Sequence, residues 1–422
     1  MVQASLRSGA AHRRAVFEVF ARHLPHGRRY GVVAGTGRLL DAVEQFRFSL
    51  ADLDFLGGAG IVDSPTLAFL EAYRFSGNIW GYSEGDCYFP GSPILVVEGT
   101  FAEAVVLETI TLSVLNYDCA IASAASRMVT AAGDRPLIEM GSRRTHERAA
   151  VASARAAYIA GFGSTSNLRA RYEYGIPSAG TSAHAFTLVH DSERHAFETQ
   201  LESLGKATTL LVDTYDVPRA VRTAVEVAGQ DLGAVRIDSG DLPVLARQVR
   251  AELDALGAVN TRIILTGDLD EYSIAALGAV PVDGYGVGTS LVTGSGAPTA
   301  ALVYKLVARA EDADPGSELM PVAKRSVGKP GRGGRKWAVR HLDTSGTAVS
   351  ERISLSPPDA NPRDRELLVP LVADGEIVGG ETISAARERH RAALDELPPY
   401  ALQLSRGYPA IPTVFENDGI AE

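Results

Sequence analysis

The sequence predicts an α/β protein: an irregular (β/α)8-type barrel with a second α+β domain built from the N- and C-terminal segments. Eight short apolar runs each end in a cluster of Gly, Ser, Thr or Asp, and helix-like segments such as ERAAVASARAAYIA follow several of them. Buried parallel strands are near-continuous apolar runs, and helices usually connect them. The runs are RPLIEMGSR (135–143), IAGFGSTSN (159–167), IPSAGTSAH (176–184), TTLLVDTYD (208–216), AVRIDSGD (234–241), RIILTGD (262–268), GYGVGTS (284–290) and ALVYKLV (301–307).

The flanking regions differ from this repeating pattern. We assign residues 1–110 to an N-terminal α+β domain, 111–310 to the barrel, and 311–422 to a C-terminal segment that returns to the N-terminal domain. The first 24 residues, interrupted by Arg and His, indicate an amphipathic helix. Near the other end, ELLVPLVADGEIVG predicts a strand, a turn and a strand, and AARERHRAALDELPP predicts a surface helix.

Composition excludes several classes of protein. The 422 residues are 45% hydrophobic and carry a formal net charge of -10, which disfavours a general nucleic-acid binder. No apolar run approaches the roughly 20 residues needed to span a bilayer, so no membrane partner is expected. Cys87 and Cys119 stand too far apart for a CxxC motif or a zinc pattern. A cytoplasmic protein is therefore expected.

Polar residues follow the predicted strands, where a barrel gathers its active site. In such a fold the carboxyl ends of the strands share one rim, so residues far apart in the chain converge there. The alternative for Asp or Ser at these places is simple capping of the next helix, but capping explains the Arg and the His poorly. The residues concerned are Arg143, Asn167, His184, Asp213, Asp238, Asp268 and Thr289.

Three stretches indicate phosphate binding. GVGTS (286–290) and LTGD (265–268) expose backbone N–H groups after a strand, as phosphate-binding turns do, although glycine also serves plain turns. In RIDSGD (236–241), Arg236 and Asp238 point to the same side of a strand. We assign an anionic phosphate to Arg236 and a pair of sugar hydroxyls to Asp238, whereas Asp241 falls where a helix cap is expected.

A basic, glycine-containing loop, KRSVGKPGRGGRKWAVR, occupies residues 324–340. It is either a solvated surface loop or a flap that closes over polyphosphate. On the second interpretation, Lys324, Ser326 and Lys329 are assigned to phosphate or ATP.

His184 lies in GTSAHAF, among small residues and hydroxyls that let a ligand approach closely. Asp213, at the next strand end, can hydrogen-bond one imidazole nitrogen and leave the other as a nucleophile. A lone histidine is more often structural, but the neighbouring carboxylate and the small residues favour catalysis.

Taken together, the ordered motifs resemble the nicotinate phosphoribosyltransferases, of the type II phosphoribosyltransferase group. The resemblance covers nearly the whole chain, and it depends on the motifs as a set, because no single one is specific. They are FEVFARHLPHGRRYGVVAGTGRLL, EMGSRR, GFGSTSN, GTSAHAF, LVDTYD, RIDSGD, TGD and GVGTSLVT. The resemblance implies synthesis of nicotinate mononucleotide and pyrophosphate from nicotinate and phosphoribosyl pyrophosphate, in NAD biosynthesis, coupled to ATP hydrolysis through a phosphohistidine.

The same resemblance implies roles for single residues. His184 is the phosphorylated histidine, with Asp213 as its orienting partner, and Arg236 and Asp238 hold pyrophosphate and ribose. Mg2+ is implied as a cofactor, with no ligand assigned, and a homodimer with shared active sites is implied. Residues matched to the phosphoribosyl end are Gly267, Asp268, Gly288 and Thr289, and those matched to the ring end are Met140, Arg143, Ser166 and Asn167.

Alternatives within and outside the family stay open. Relatives that use nicotinamide carry an aspartate where this sequence has Ser166, and a carboxylate there would repel nicotinate, so nicotinate is preferred over nicotinamide. Quinolinate would require more cations than Arg143 and Arg144. Family members usually carry a TDxYE-like motif ahead of the part that matches MVQASLRSG, and the printed sequence starts after it, which leaves a non-catalytic phosphate-binding paralogue as the remaining alternative.

Overall fold

The computed structural model describes residues 1–324 and 331–416, and the chain divides into two compact units. One unit combines Met1–Ala120 with Thr299–Glu422, and the other is Ile121–Pro298. We call them the terminal unit and the central unit. The sequence places these boundaries near residues 110 and 310.

The described strands, in chain order, are β1 Arg14–Ala21, β2 Gly31–Val32, β3 Asn78–Gly81, β4 Cys87–Tyr88, β5 Leu95–Thr100, β6 Leu137–Glu139, β7 Ser164–Thr165, β8 Thr209–Leu211, β9 Ala234–Ile237, β10 Arg262–Leu265, β11 Gly284–Val287, β12 Leu302–Ala310, β13 Leu319–Pro321, β14 Trp337–Leu342, β15 Ala348–Ser354, β16 Asp364–Glu366, β17 Val369–Ala373, β18 Glu376–Ile377 and β19 Thr413–Phe415.

The described α-helices are α1 Val2–Ser8, α2 Thr36–Gln45, α3 Leu50–Gly58, α4 Ser64–Glu71, α5 Phe101–Val106, α6 Glu108–Ala132, α7 Glu147–Ile159, α8 Leu168–Tyr174, α9 His184–Val189, α10 Glu193–Leu204, α11 Val217–Ala228, α12 Leu242–Ala255, α13 Glu271–Ala276, α14 Thr289–Val292 and α15 Ile383–Asp395. In the described part of the chain, no helix is long and apolar enough to span a bilayer.

The central unit is built on a parallel sheet of six strands in the order β7-β6-β11-β10-β9-β8. The first and last of these strands in the chain, β6 and β11, are hydrogen-bonded neighbours, so the sheet curls back on itself as a half-barrel. The two edge strands of this sheet are β7 and β8. The chain between these two strands includes the irregular segment that precedes α9.

The prediction of a β/α barrel is confirmed in part: the parallel, helix-connected strands are present, but a closed eight-stranded barrel is not confirmed. The segment 176–184 forms no strand and is attached to the edge of β7 by two backbone hydrogen bonds, from Thr165 N–H to Pro177 O (2.9 Å) and from Ala179 N–H to Thr165 O (3.0 Å). Pro177 cannot donate to a strand ladder, and Gly180 weakens one. The segment before α9, whose first residue is His184, therefore stays irregular.

The run 301–307 was predicted as a barrel strand, and this prediction is wrong. It lies in β12, which is antiparallel to β1 in the terminal unit. Both of its sheet neighbours, β1 and β13, run antiparallel to it, so its backbone groups are paired in the terminal unit and not with β11.

The terminal unit contains a seven-stranded antiparallel sheet in the order β13-β12-β1-β5-β3-β17-β18. The N-terminal strands β1, β5 and β3 form its centre, and C-terminal strands flank them on both sides. Among these, β17 and β18 form the predicted strand-turn-strand. The predicted N-terminal amphipathic helix is largely wrong, because α1 ends at Ser8 and β1 begins at Arg14. VFEVF favours a strand, since β-branched and aromatic residues pack well on a pleated surface.

Candidate active site

The parallel strands of the central unit end at one pocket of about 730 Å3. Its walls come from the turns after β6, β7, β9, β10 and β11 and from the irregular segment before α9. Carboxyl ends of parallel strands are the usual place for a ligand in such folds. The lining residues are Met140, Ser142, Arg143, Arg144, Ser166, Gly180, Thr181, Ser182, Ala183, His184, Ala185, Leu211, Arg236, Asp238, Thr266, Gly267, Asp268, Gly286, Gly288 and Thr289.

Arg236 connects three of these segments. Its Nε donates to Thr266 Oγ1 (2.8 Å), and its Nη2 donates to Asp238 Oδ1 (2.6 Å). Its Nη1 donates to Thr181 Oγ1 (2.5 Å) and to the carbonyl of Ser182 (3.4 Å). The guanidinium thus holds the segment that leads into His184.

His184 has different neighbours on its two ring nitrogens. Nδ1 lies 3.2 Å from Thr214 Oγ1, whereas Nε2 lies 3.8 Å from Asp213 Oδ1 and 4.0 Å from Asp238 Oδ2. The side chain of Asp213 is buried, and its Oδ2 accepts hydrogen bonds from Asp238 N–H (2.9 Å) and the Ser239 hydroxyl (2.6 Å). Its Oδ1 is buried without a hydrogen-bond partner in the described residues, so an imidazole N–H would satisfy it.

Asp238 stays ionised in this environment. Burial alone would raise the pKa of its carboxyl, but hydrogen bonds from Thr266 and Arg236, together with the charges of Arg236 and His184, hold the pKa below its ordinary value. The pocket therefore presents a carboxylate close to a histidine and an arginine.

The opposite side of the pocket carries two arginines and a serine. Arg143 and Arg144 are exposed and form no ion pair with a carboxylate in the described ranges 1–324 and 331–416. The backbone N–H of Ser166 donates to Glu139 O (2.8 Å). The hydroxyl of Ser166 forms no hydrogen bond with another described residue. These groups are available to an anionic ligand.

Two glycines allow the strand ends to approach one another. A Cβ at Gly286 would stand 2.6 Å from the Thr266 methyl and 2.7 Å from Met140 Sδ. A Cβ at Gly267, whose φ is +110°, would stand 2.3 Å from Asp238 O. Larger residues would displace the pocket wall at both places.

Most of the predicted site residues come together. Asp213 lies behind the pocket wall, and the Asn167 amide is already occupied, with Oδ1 capping α8 and Nδ2 donating to Ser142 Oγ (2.9 Å). Those that line the pocket are Met140, Arg143, Ser166, His184, Arg236, Asp238, Gly267, Asp268, Gly288 and Thr289.

The basic loop is only partly described, and two of its described cations are occupied in the terminal unit. Lys336 is buried and donates to Glu18 Oε2 (2.7 Å), and the Arg335 guanidinium lies 4.0 Å from the Trp337 ring centre. Lys324 belongs to the same unit, while Ser326 and Lys329 lie outside the described residues. The assignment of all three to phosphate or ATP stays a prediction.

Sequence reasoning missed several residues that shape the site. Thr181, Thr214 and Thr266 each stand within three residues of a predicted site residue, so their hydroxyls were visible in the motifs but were given no role. Glu139 had a clearer signal, because it is a charged residue inside the apolar run LIEM. Such a residue in a buried strand requires partners.

Comparisons with known proteins identify the family of the chain. Residues 1–116 match the family model described as the nicotinate phosphoribosyltransferase (NAPRTase) N-terminal domain. The chain is 57% identical over 423 residues to nicotinate phosphoribosyltransferase pncB1 of Mycobacterium tuberculosis. The match covers 98% of this chain and 92% of that protein. It is 38% identical over 321 residues to nicotinate phosphoribosyltransferase of Bacillus subtilis, covering 74% of this chain and 65% of that protein.

Solved structures share the fold. The structure of human nicotinic acid phosphoribosyltransferase matches with a TM-score of 0.82 at 24% identity, covering 98% of this chain and 95% of that one. A nicotinate-nucleotide pyrophosphorylase from Pyrococcus furiosus matches with a TM-score of 0.76 at 25% identity, covering 96% and 94%. From the fold, the pocket and the identity to curated relatives, the chain belongs to the nicotinate phosphoribosyltransferase family of enzymes.

Proposed function

We propose that this chain forms nicotinate mononucleotide and pyrophosphate from nicotinate and phosphoribosyl pyrophosphate, a step of NAD biosynthesis, and couples it to ATP hydrolysis through a phosphohistidine at His184. One observation carries the coupling: His184 has two carboxylates near Nε2 and a hydroxyl on Nδ1, in a pocket lined by cations and hydroxyls. The names of the relatives supply the substrate class.

The neighbours of His184 favour one nitrogen as the nucleophile. Asp213 and Asp238 stabilise a proton on Nε2, which leaves the lone pair of Nδ1 available once the Thr214 hydroxyl turns aside. Nδ1 attacks the terminal phosphorus of ATP, the N–P bond forms, and the P–O bond to ADP breaks with its electrons on ADP. Attack of water on the phosphohistidine then releases inorganic phosphate and restores the imidazole.

Transfer of the phosphoribosyl group requires little covalent help from the protein. The C–O bond to pyrophosphate breaks as the ring nitrogen of nicotinate forms the new C–N bond, with positive charge developing on the sugar carbon. Positioning and charge stabilisation carry such a step. We assign Asp238 to the ribose hydroxyls, and we assign Arg143, Arg144 and the Ser166 hydroxyl to the nicotinate carboxylate. All four residues line the pocket.

Mg2+ fits this pocket as a partner of substrate phosphates. The described residues contain no cluster of three or more metal-ligating side chains, which agrees with an ion that takes one or two carboxylates and completes its shell with phosphates and water. Asp238 and Asp268 line the pocket and would hold it. When bound, the ion would neutralise pyrophosphate charge.

We also propose a cytoplasmic homodimer with shared active sites. The support for a partner surface is two pairs of exposed apolar side chains on short helices of the central unit: Leu168 and Tyr172 on α8, and Leu188 and Val189 on α9. We assign these exposed apolar side chains to the contact with the partner.

The experiment that tests the coupling uses ATP labelled on its terminal phosphate. We expect acid-labile, base-stable label on the wild-type protein, no label on His184→Ala, and normal label on His195→Ala, which removes an exposed histidine of the neighbouring helix α10. Nicotinate turnover is measured on the same samples. Label retained in His184→Ala would disprove the assignment, and a wild-type protein that binds phosphate ligands but turns over no pyridine substrate would indicate the non-catalytic paralogue.

A further inference from the structure

We propose that Glu139 is a positioning residue for the ring end of the site: its carboxylate fixes the two turns that carry Arg143 and Ser166. The inference rests on the proposed function, because it assigns the ring end to the pyridine substrate. Glu139 itself does not line the pocket.

Each oxygen of the Glu139 carboxylate is used by a different turn. Oε1 accepts the Gly141 backbone N–H at 2.5 Å, and Oε2 accepts the Thr165 hydroxyl. The main-chain carbonyl of Glu139 also accepts the Ser166 N–H at 2.8 Å. One residue at the end of β6 therefore connects the turn after its own strand to the turn after β7.

The two turns are joined a second time on the pocket side. Arg144 N–H closes the first turn on Gly141 O at 2.8 Å, and the Asn167 amide donates to Ser142 Oγ at 2.9 Å. The Thr165 hydroxyl, which donates to Glu139, accepts the Asn167 N–H at 2.9 Å. The chain of hydrogen bonds thus runs from the buried carboxylate to the residues beside Arg143 and Ser166.

Burial of the Glu139 carboxylate lowers the stability of the fold unless its hydrogen bonds compensate for the lost hydration. Glu139 is 0% exposed, and no cation pairs with it in the part of the chain that the structure describes. Its burial raises the pKa of the carboxyl, and the hydrogen bonds from Thr165 and Gly141 oppose that shift only in part. An apolar residue at this position would avoid the desolvation penalty but would leave two buried donors unpaired.

A positioning role and an electrostatic role of Glu139 predict different kinetic properties for its variants. Glu139→Gln removes the charge but can keep both contacts, with its carbonyl accepting from Gly141 and its amide donating to the Thr165 oxygen. Glu139→Met has similar volume and removes both contacts. Thr165→Val is isosteric and removes one of them, which provides a second test if the methionine variant does not fold.

The experiment measures kcat and KM for nicotinate, the melting temperature, and His184 labelling from ATP. For folded Glu139→Met, and more weakly for Thr165→Val, we expect the nicotinate KM to rise about tenfold or more with a smaller change in kcat. Glu139→Gln should stay within about threefold of wild type. Glu202→Met, at an exposed position of α10, is the control and should change nothing.

The outcomes separate this inference from the proposed function. Labelling of His184 should be normal in all four variants, because the phosphate end is held by other segments. Loss of kcat at unchanged KM in Glu139→Gln would replace positioning with a direct charge effect. Unchanged KM in both folded Glu139→Met and Thr165→Val would overturn the inference alone, whereas a wild-type protein that neither labels nor turns over nicotinate would overturn the proposed function.

Discussion

Among single residues, the arginines of the site differ in how many of their hydrogen-bond donors the protein already occupies. Arg236 already donates to Thr181, Asp238 and Thr266, so an anion at its guanidinium must share or replace acceptors of the protein. Arg143 and Arg144 have no carboxylate partner among the described residues. We infer that Arg236 organises the histidine segment as well as binding phosphate, while the other two are free for substrate.

Ser166→Asp tests the preference for an acid over an amide. A carboxylate on the exposed pocket wall would repel nicotinate and accept from the amide N–H of nicotinamide. We expect the ratio of kcat/KM for nicotinate over nicotinamide to fall by about tenfold or more, which corresponds to about 1.4 kcal/mol.

Ser166→Asn is the matched neutral control, because it adds a side chain of the same shape without the charge. It should keep the nicotinate preference. A wild-type enzyme that used both substrates equally well would contradict the assignment of Ser166.

At the level of secondary structure, the turns after β8, β9 and β10 each contain two aspartates with different roles. The first follows the strand and belongs to the site region, as Asp213, Asp238 and Asp268 do. A second, two or three residues later, accepts a backbone N–H at the start of the next helix, and these are Asp216, Asp241 and Asp270. The expected helix cap at Asp241 is confirmed, and the capping alternative is also correct for Asn167, which caps α8. The first aspartate of each turn caps none of the described helices.

Gly267→Ala tests the turn after β10. The new methyl group would meet Asp238 O at 2.3 Å with φ at +110°, so the turn must move away from Asp238. We expect a loss of about 1–3 kcal/mol of stability and about a tenfold loss in kcat/KM for phosphoribosyl pyrophosphate.

Gly133→Ala separates strain from displacement, because Gly133 also has a positive φ but has open space around its Cβ position. It should cost some stability and leave turnover intact, as judged by chemical denaturation and steady-state kinetics. Equal kinetic losses in both variants would refute the specific role of Gly267.

At the scale of the whole molecule, buried charges join segments that lie far apart in the chain. In the terminal unit, Arg340 is fully buried and donates to Asp86 (3.1 Å) and Glu351 (2.5 Å), and Lys336 pairs with Glu18 from the other end of the sequence. Removing one partner of such a pair leaves a charge without compensation, which typically costs about 3–5 kcal/mol. The terminal unit therefore depends on both of its chain segments.

His390→Asn tests the pH dependence of that unit. Burial lowers the pKa of His390 to about 4, and its Nδ1 lies 2.9 Å from Gly85 O, a contact that an asparagine amide can replace. Below the unfolded-state pKa near 6.5, only the unfolded chain takes up a proton, so wild-type stability falls as pH falls towards 4.

Between pH 7 and pH 5 this histidine should account for a loss of about 2 kcal/mol, which His390→Asn should remove. The measurement is the free energy of unfolding by urea at both pH values. His23→Asn, at an exposed histidine, is the control and should behave as wild type. An identical pH dependence in His390→Asn and wild type would show that His390 is not the group responsible.

The periodic runs determined much of the central unit. Six of the eight predicted strands are in the parallel sheet, because buried parallel strands and their helices leave a local pattern of apolar runs and caps. The other two predictions failed for different reasons: the first reason is local composition, and the second is pairing with a distant part of the chain. Pro177 and Gly180 disfavour a strand in 176–184, where Ser178 forms only an isolated bridge with Thr165. By contrast, 301–307 is a strand whose partner, β1, lies almost 300 residues earlier in the chain.

The local sequence alone was enough to identify the main polar groups of the pocket: Arg236 and Asp238 from their position at the end of a strand, and His184 from its motif. Tertiary structure alone decided what each of them contacts. Arg236 holds Thr181, Nε2 of His184 faces two carboxylates, and Glu139 connects two turns; each of these contacts joins different segments of the chain. Strand ends follow from local periodicity, but hydrogen bonds between them depend on strand order and register, which no local pattern records.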